Sequence, residues 1–279
     1  MTNPIADPLV EVPDTSPTAD LVKIEATRAG AATVTMNRPD RKNAFGPDLI
    51  SALHDAFETL HGAEGVRVVF LRGAGGTFSA GADLDWMREA ADLTEADNRD
   101  DAMQLANMLK HLWDLPALTV ALVEGGAFGG GVGLAAACDF AVATKATKFA
   151  FSEARLGLIP AAISPYVVQA IGPRAARGLF ASARVFDAAY AEKIGLLTEV
   201  VEDAAGLEAA RERITAEALA CAPGAMGDAK QLVSDVFGRD IDHGLLELTA
   251  RRIAAARVGE EGQEGVRAFL ERRKPRWAE

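Results

Sequence analysis

The chain has little of what side-chain chemistry usually draws on. It carries two cysteines in 279 residues, Cys138 and Cys221, far apart and outside any CxxC pair. That count argues against a disulfide framework and a cysteine-built zinc cluster, and fits a reducing, cytoplasmic setting. Four scattered histidines (His54, His61, His111, His243) show no HExxH or related spacing, so no metal is expected. His54 and His61 fall on one amphipathic stretch and read as surface residues. Basic charge is also short: Lys and Arg number 29 against 40 Asp and Glu, a formal net charge of −11. A nucleic-acid binder would show the opposite balance. A polyanionic small ligand would have to meet a local basic group or backbone amides. No apolar run is long enough to span a membrane, so no membrane partner is expected. The first twenty residues hold four Pro and four acids but no Lys or Arg. They lack the basic start of a signal or transit peptide. Residues 1–19 read as a disordered leader, with an ordered arm against a partner as the alternative.

What is present is a regular alternation. Hydrophobic content of 49% and charged content of 25% suit a globular chain. "AATVTMN" reads as a strand ending in the turn "NRPDRKN". Pro47 opens a helix whose apolar residues Leu49, Ile50, Leu53, Phe57 and Leu60 recur at helical spacing, with Gly62 at its end. "VRVVFLRG" and "ALTVALVEG" read as buried strands, separated by the loop "AGGTFSAGADL" and a helix over 101–113. "DFAVAT" and "KFAFSE" follow as strands, then helices over "SPYVVQAIG" and "RAARGLFAS", and a third capped by Asp187. Beyond about residue 205 only helical pattern remains, over 207–221, 224–237, 241–257 and 262–272. The expectation is an α/β core over 20–205 and an all-helical region over 206–279.

One segment has glycine in excess. "EGGAFGGGVGLAAACD" places five glycines between Gly126 and Gly133, without an acid, base or nucleophile among them. Dinucleotide binding is one reading, since Gly131, Gly133 and Ala136 fit G-x-G-x-x-A and Glu153 lies twenty residues on. The helix after Gly133 must end by about Asp139, which is short for that role. Close helix–sheet packing is a second reading and accounts for Ala135 to Ala137. The third is an oxyanion site, in which a strand ends, glycines permit unusual angles, and free N–H groups open a helix. "FSAGADL" is a second loop of that kind, and two in one core favour this reading.

The segments "NRPDRKNAF", "TFSAGADLDWM", "AFGGGVGLAAACD", "FSEARLGLIP" and "AEKIGLLTEVV" resemble the enoyl-CoA hydratase/isomerase (crotonase) family, in the family's order, over roughly residues 20 to 275. The run from "GGGVG" to "ISPYV" is most similar to bacterial 3-methylglutaconyl-CoA hydratases and related hydratases of acyclic terpenoid breakdown. The resemblance implies a spiral of ββα units with a helical C-terminal trimerisation region, a homotrimer or hexamer, and a place in fatty acid metabolism or leucine catabolism. It implies an acyl-CoA thioester as substrate and no separate cofactor, coenzyme A being part of the substrate.

The same resemblance assigns residues. The two oxyanion-hole N–H groups fall on Ala82 and Gly130. Ala80, Gly81, Asp83, Leu84, Gly129 and Gly133 fall around the substrate, although Asp83 by itself reads as a helix cap. Of the family's two catalytic glutamates, the second falls on Glu153. The first falls on Gly133, where no carboxylate exists. A pairing of Glu153 with Arg155 at the surface is the alternative for that residue. "AAISPY" stands where the family commonly has "GAGGTQ". The implied reaction is addition of water to a 2-enoyl-CoA by a single glutamate, on a branched, methylglutaconyl-like substrate. The alternatives are a 3,2-enoyl-CoA isomerase with a one-glutamate proton shuttle, and a non-catalytic acyl-CoA binder. Arg41, Lys42 and Lys230 are the candidates for the CoA phosphates. Replacement of Gly133 by Glu is expected to restore a partner carboxylate and raise, or at least not abolish, crotonyl-CoA hydration; a clash is the alternative if Gly133 needs a positive φ or the acyl chain fills that space.

Overall fold

The computed structural model describes residues 10–11 and 20–279. In chain order the elements are β1 (Val10–Glu11), β2 (Val22–Ala26), β3 (Ala31–Met36), α1 (Pro47–His61), β4 (Val68–Gly73), α2 (Leu84–Ala91), α3 (Glu95–Trp113), β5 (Leu118–Val123), β6 (Gly126–Phe128) and α4 (Gly130–Ala137). Then come β7 (Phe140–Thr144), β8 (Lys148–Ala150), α5 (Ser164–Ser182), β9 (Phe186–Asp187), α6 (Ala188–Lys193), β10 (Glu199–Val201), α7 (Ala204–Ala220), α8 (Pro223–Val236), α9 (His243–Val258) and α10 (Glu260–Glu271).

Two sheets share the strands. The larger runs β1-β2-β3-β4-β5-β7-β10, parallel from β3 onward, and the smaller runs β6-β8-β9. The chain winds between them. Each turn gives a strand to the large sheet, a short extended piece to the small layer, and then a helix. So β5 leads to β6 and α4, and β7 leads to β8 and α5. Earlier turns follow the same path through isolated bridges, Phe45 with Ala82 and Ser79 with Ala127. The result is the ββα spiral that the resemblance implied.

The large sheet is buried on both faces, which is why its strands read as apolar runs. On one face Val34, Met36, Val69, Leu71, Ala121 and Val123 pack with Leu53, Phe57, Leu134 and Val167. On the other, Val68, Phe70, Val120, Leu122 and Val142 meet Leu207, Ala210, Ile214 and Ala218 of α7. The first helix beyond residue 205 therefore belongs to the core rather than to an outlying layer. A periodicity reading sees its stripe but not what the stripe covers.

One other placement differs from expectation. Val10 and Glu11, within the leader, form a strand antiparallel to β2, whose outer edge accepts them; the rest of the expected disorder lies outside the described residues. The two helices expected over 164–182 are both present within α5, divided at Gly172 (φ 73°, ψ 160°) before Pro173, which has no N–H to donate. His54 keeps a partly exposed side chain, its ring 4.2 Å from that of His111 across α1 and α3.

If α7 is core, Ile214→Ala should cost about 2–5 kcal/mol of unfolding free energy in urea titration. A loss below about 0.5 kcal/mol, ordinary for a surface position, would mean that α7 is peripheral.

Candidate active site

The site begins with a loop held by a buried amide. Asn43 is fully buried at φ 52°, a left-handed conformation that asparagine tolerates. Its Nδ2 donates to the carbonyls of Ala74 and Thr77, and its Oδ1 accepts from the Arg38 N–H. Ser79 Oγ donates to the Asn43 carbonyl and accepts from the Gly81 N–H. The Ala80 N–H donates to the Lys42 carbonyl. These bonds fix the stretch 77–82 against β6, where the Ser79 N–H donates to the Gly126 carbonyl and the Ser79 carbonyl accepts from the Phe128 N–H. At Gly81 (φ 87°) a Cβ would stand 2.8 Å from the Phe128 carbonyl oxygen. Only glycine lets the two backbones meet.

Gly129 is the second special position. Its φ of 48° and ψ of −117° are accessible to glycine and very costly for other residues. It takes the chain out of β6 and turns it into α4. The N–H groups of Ala82 and Gly130 donate to no protein group among the described residues. The first peptides of α4 thus present free donors and the positive end of a short dipole beside a second free donor on the adjoining loop. That arrangement can hold an oxygen on which negative charge develops. One such donor is worth roughly 3–4 kcal/mol in other enzymes.

Glu153 stands next to this turn. The Gly129 N–H donates to the Ala150 carbonyl, and Phe128 pairs with Ala150, so the turn after β8 falls over Gly129. A Cβ on Gly129 would lie 3.0 Å from Glu153 Oε1. Glu153 Oε2 is buried without a hydrogen-bond partner, and the residue makes no ion pair among the described residues, Arg155 included. Burial pushes the carboxyl above the ordinary glutamate range. A carboxylate with raised proton affinity, facing free N–H donors, is suited to taking and returning a proton near neutral pH.

Gly133 is fully enclosed, and its neighbour corrects one expectation. A Cβ there would lie 2.7 Å from Ile163 Cβ, and Cγ2 is closer still. Ile163 is buried and caps the start of α5. The room for a glutamate at 133 is taken, so Gly133→Glu cannot simply restore a second carboxylate in this fold.

Other predicted residues fall into place differently. Asp83 is buried, caps α2 through the Asp85 N–H at 2.8 Å and pairs with Arg38. The Asp85 backbone bond holds its carboxyl below the usual range. Its role is structural, as its position before a helix suggested. Leu84, which follows, is largely exposed. Lys230 does not stand free for a phosphate. Its Nζ pairs with Asp139 at 2.6 Å and donates to the Ala117 carbonyl, tying α8 to β5 and β7. Arg41 pairs with Asp85 at 3.2 Å, while Lys42 forms no ion pair among the described residues and adjoins the Ala80 loop. A polar concavity lined by Thr33, Thr35, Arg72 and Arg211 opens on the other face of β3, and Glu208 already bridges its two arginines. His54, Asp55 and Glu58 converge on α1, the only grouping of this kind among the described residues.

Sequence reasoning missed Asn43 and Ile163. Asn43 was visible in "KNAF" only as a residue that tolerates a left-handed turn. Ile163 was visible in the departure "AAISPY", but its contact with Gly133 joins two segments that periodicity treats separately.

Because the folded state binds the Glu153 proton more tightly than the unfolded chain, stability is fully present below the ordinary carboxylate pKa. It is lost as pH rises through the raised one. Glu153→Gln removes that ionisation. The variant should therefore unfold at a higher temperature than the parent near neutral pH, with the difference closing in acid. A lower midpoint at neutral pH would contradict the buried, unpaired carboxylate.

Comparison with known proteins agrees with this geometry. The model of the enoyl-CoA hydratase/isomerase family matches residues 26–279. A solved Legionella pneumophila structure, of a protein placed with the enoyl-CoA hydratase/isomerases (crotonases), is 43% identical, with a TM-score of 0.86 over 92% of this chain and 99% of that one. An enoyl-CoA hydratase from Shewanella pealeana is 38% identical, with a TM-score of 0.89 over 94% of this chain and 100% of its own. The mitochondrial methylglutaconyl-CoA hydratase of Mus musculus is 31% identical over 259 residues, 91% of this chain and 81% of that protein. With the spiral, the paired glycine loops and a family match over nearly the whole described chain, the protein belongs to the enoyl-CoA hydratase/isomerase family.

Proposed function

We propose that this enzyme adds water to a 2-enoyl-CoA, with Glu153 as its only acid–base side chain. The observation that carries the reading is the buried, unpartnered Glu153 oxygen beside the free amides at the start of α4. Glu153 removes a proton from water as the water oxygen adds to the β-carbon. The electron pair of the double bond moves through the α-carbon to the thioester oxygen. The Ala82 and Gly130 N–H groups hold that oxygen as an enolate, and the Glu153 carboxyl returns its proton to the α-carbon. No cofactor takes part, coenzyme A being carried by the substrate. Lys42 and Arg41, on the turn bonded to the Ala80 loop, are the basic groups proposed for the CoA phosphates. The hydratases among the relatives support water addition, and the methylglutaconyl-CoA hydratase among them supports a branched acyl group.

A second reading is favoured by one observation, the lack of a carboxylate at Gly133. A lone glutamate also suits double-bond migration. It would take a proton from the carbon next to the thioester and return it two carbons further along.

A panel of enoyl-CoAs, 3-methylglutaconyl-CoA included, separates the readings by product mass. Hydration gains one water, and migration leaves the mass unchanged. Glu153→Gln should lower kcat by roughly 10²–10⁴-fold with CoA affinity largely intact. Near-parental rates in that variant would move the base elsewhere, and absence of turnover across the panel would leave a non-catalytic acyl-CoA binder.

We also propose assembly as a trimer or hexamer through the helices after α7. Phe237, Ile241, Ile253, Val258, Val266 and Phe269 of that region are exposed in the isolated chain. Large apolar side chains left exposed within one region suit an interface between chains. Light scattering at micromolar concentration should give a trimer or its double, and a monodisperse monomer would refute the assembly. No helix among the described residues is long and apolar enough to cross a membrane.

A further inference from the structure

Gly129 and Gly133 lie one turn apart on the same backbone, the Gly133 N–H reaching the Gly129 carbonyl at 3.2 Å. A Cβ on the first would meet Glu153, with Oε1 at 3.0 Å and Cδ at 3.7 Å. A Cβ on the second would meet Ile163, with Cβ at 2.7 Å and Cδ1 at 3.7 Å. Gly129 is the N-cap of α4, at a non-helical φ of 48°, and Gly133 lies on the first turn of that helix. Glu153 and Ile163 thus both approach the start of one glycine-rich helix. The room next to the base, which a longer residue at 133 would enter, holds an aliphatic side chain instead.

Ile163 is not loosely held there. It is 2% exposed, and its carbonyl accepts from the Val167 N–H as α5 begins. Pro165 fixes the first turn of that helix. Val167 and Ile171, further along α5, are buried in the same core. The Ile163 backbone is therefore fixed by the start of α5 and its side chain enclosed by the core. The two departures from the family pattern, glycine at 133 and "AAISPY" after Pro160, are therefore two halves of one packing contact.

We infer that Ile163 is a positioning residue for the reaction: it occupies the room of a second carboxylate, keeps water from that side of Glu153, and makes residues 133 and 163 interchangeable only as a pair. This inference rests on the acyl-CoA reading above for its chemistry, but not for its packing. A methyl branch displaces any water that would solvate the carboxylate from the α4 side. Both proton transfers are left to one group.

A double-mutant cycle on the full chain tests it, with Gly133→Glu, Ile163→Gly and the two combined. Thermal unfolding reads the packing. Gly133→Glu alone should lose most of its midpoint or fail to fold, and the combined variant should recover most of that loss. Additive losses, or a Gly133→Glu protein as stable as the parent, would overturn the pairing. The titration of Glu153, followed by carbon-13 NMR in the parent and in Ile163→Ala, reads the effect on the base. Its midpoint should fall toward the ordinary glutamate range when the branched side chain is trimmed. An unmoved midpoint would reduce Ile163 to a core residue and overturn the positioning role. If no enoyl-CoA is turned over by the parent, the proposed reaction fails, while both of these readouts still decide the inference.

Discussion

Everything at this site depends on two stretches of backbone touching where a side chain would keep them apart. Gly81 lies against the Phe128 carbonyl, and Gly129 turns the same strand into α4. Put a Cβ on Gly81, and the loop carrying Ala82 must move off the strand that leads to Gly130. The two free N–H groups would then no longer belong to one site. The buried amide of Asn43, bonded on three sides, holds the loop in that contact from behind. The glycine excess is thus a packing requirement whose by-product is exposed amides.

Building an anion site from peptide groups has an electrostatic consequence. Peptide donors carry no net charge, so burying them avoids the large desolvation cost of a buried cation. They also do not titrate. In a chain with a net charge of −11, the pH response of the site falls on Glu153 alone. One oxygen of its carboxyl is buried without a partner. Burial of that group raises its proton affinity, the property that the proposed base requires.

Much of this was legible in the sequence, and the reason is local. Helix α1 announces itself through Pro47 and the spacing of Leu49, Leu53, Phe57 and Leu60, and the Asp187 cap through its place before α6. The strand–glycine–helix order around 126–133 reflects backbone constraints that the nearest residues set. What escaped depends on contacts between distant segments. The covering of Phe70 and Val120 by α7, the capture of Lys230 by Asp139, and the filling of Gly133 by Ile163 have no local signature. Lys230 is the instructive case. A basic residue in an acidic chain invites a role in binding phosphate, yet here it satisfies a carboxylate and a carbonyl within its own fold.

The proposal turns on one carboxylate, beside backbone donors, that takes a proton from water and delivers it to the α-carbon while the other proton stays on the new hydroxyl. Isotope incorporation tests it most directly. With a 2-enoyl-CoA in heavy-oxygen water, the parent enzyme should give a product carrying one labelled oxygen, and Glu153→Gln should give essentially none over the same period. A parent product without label, or undiminished labelling by the Gln variant, would contradict the account.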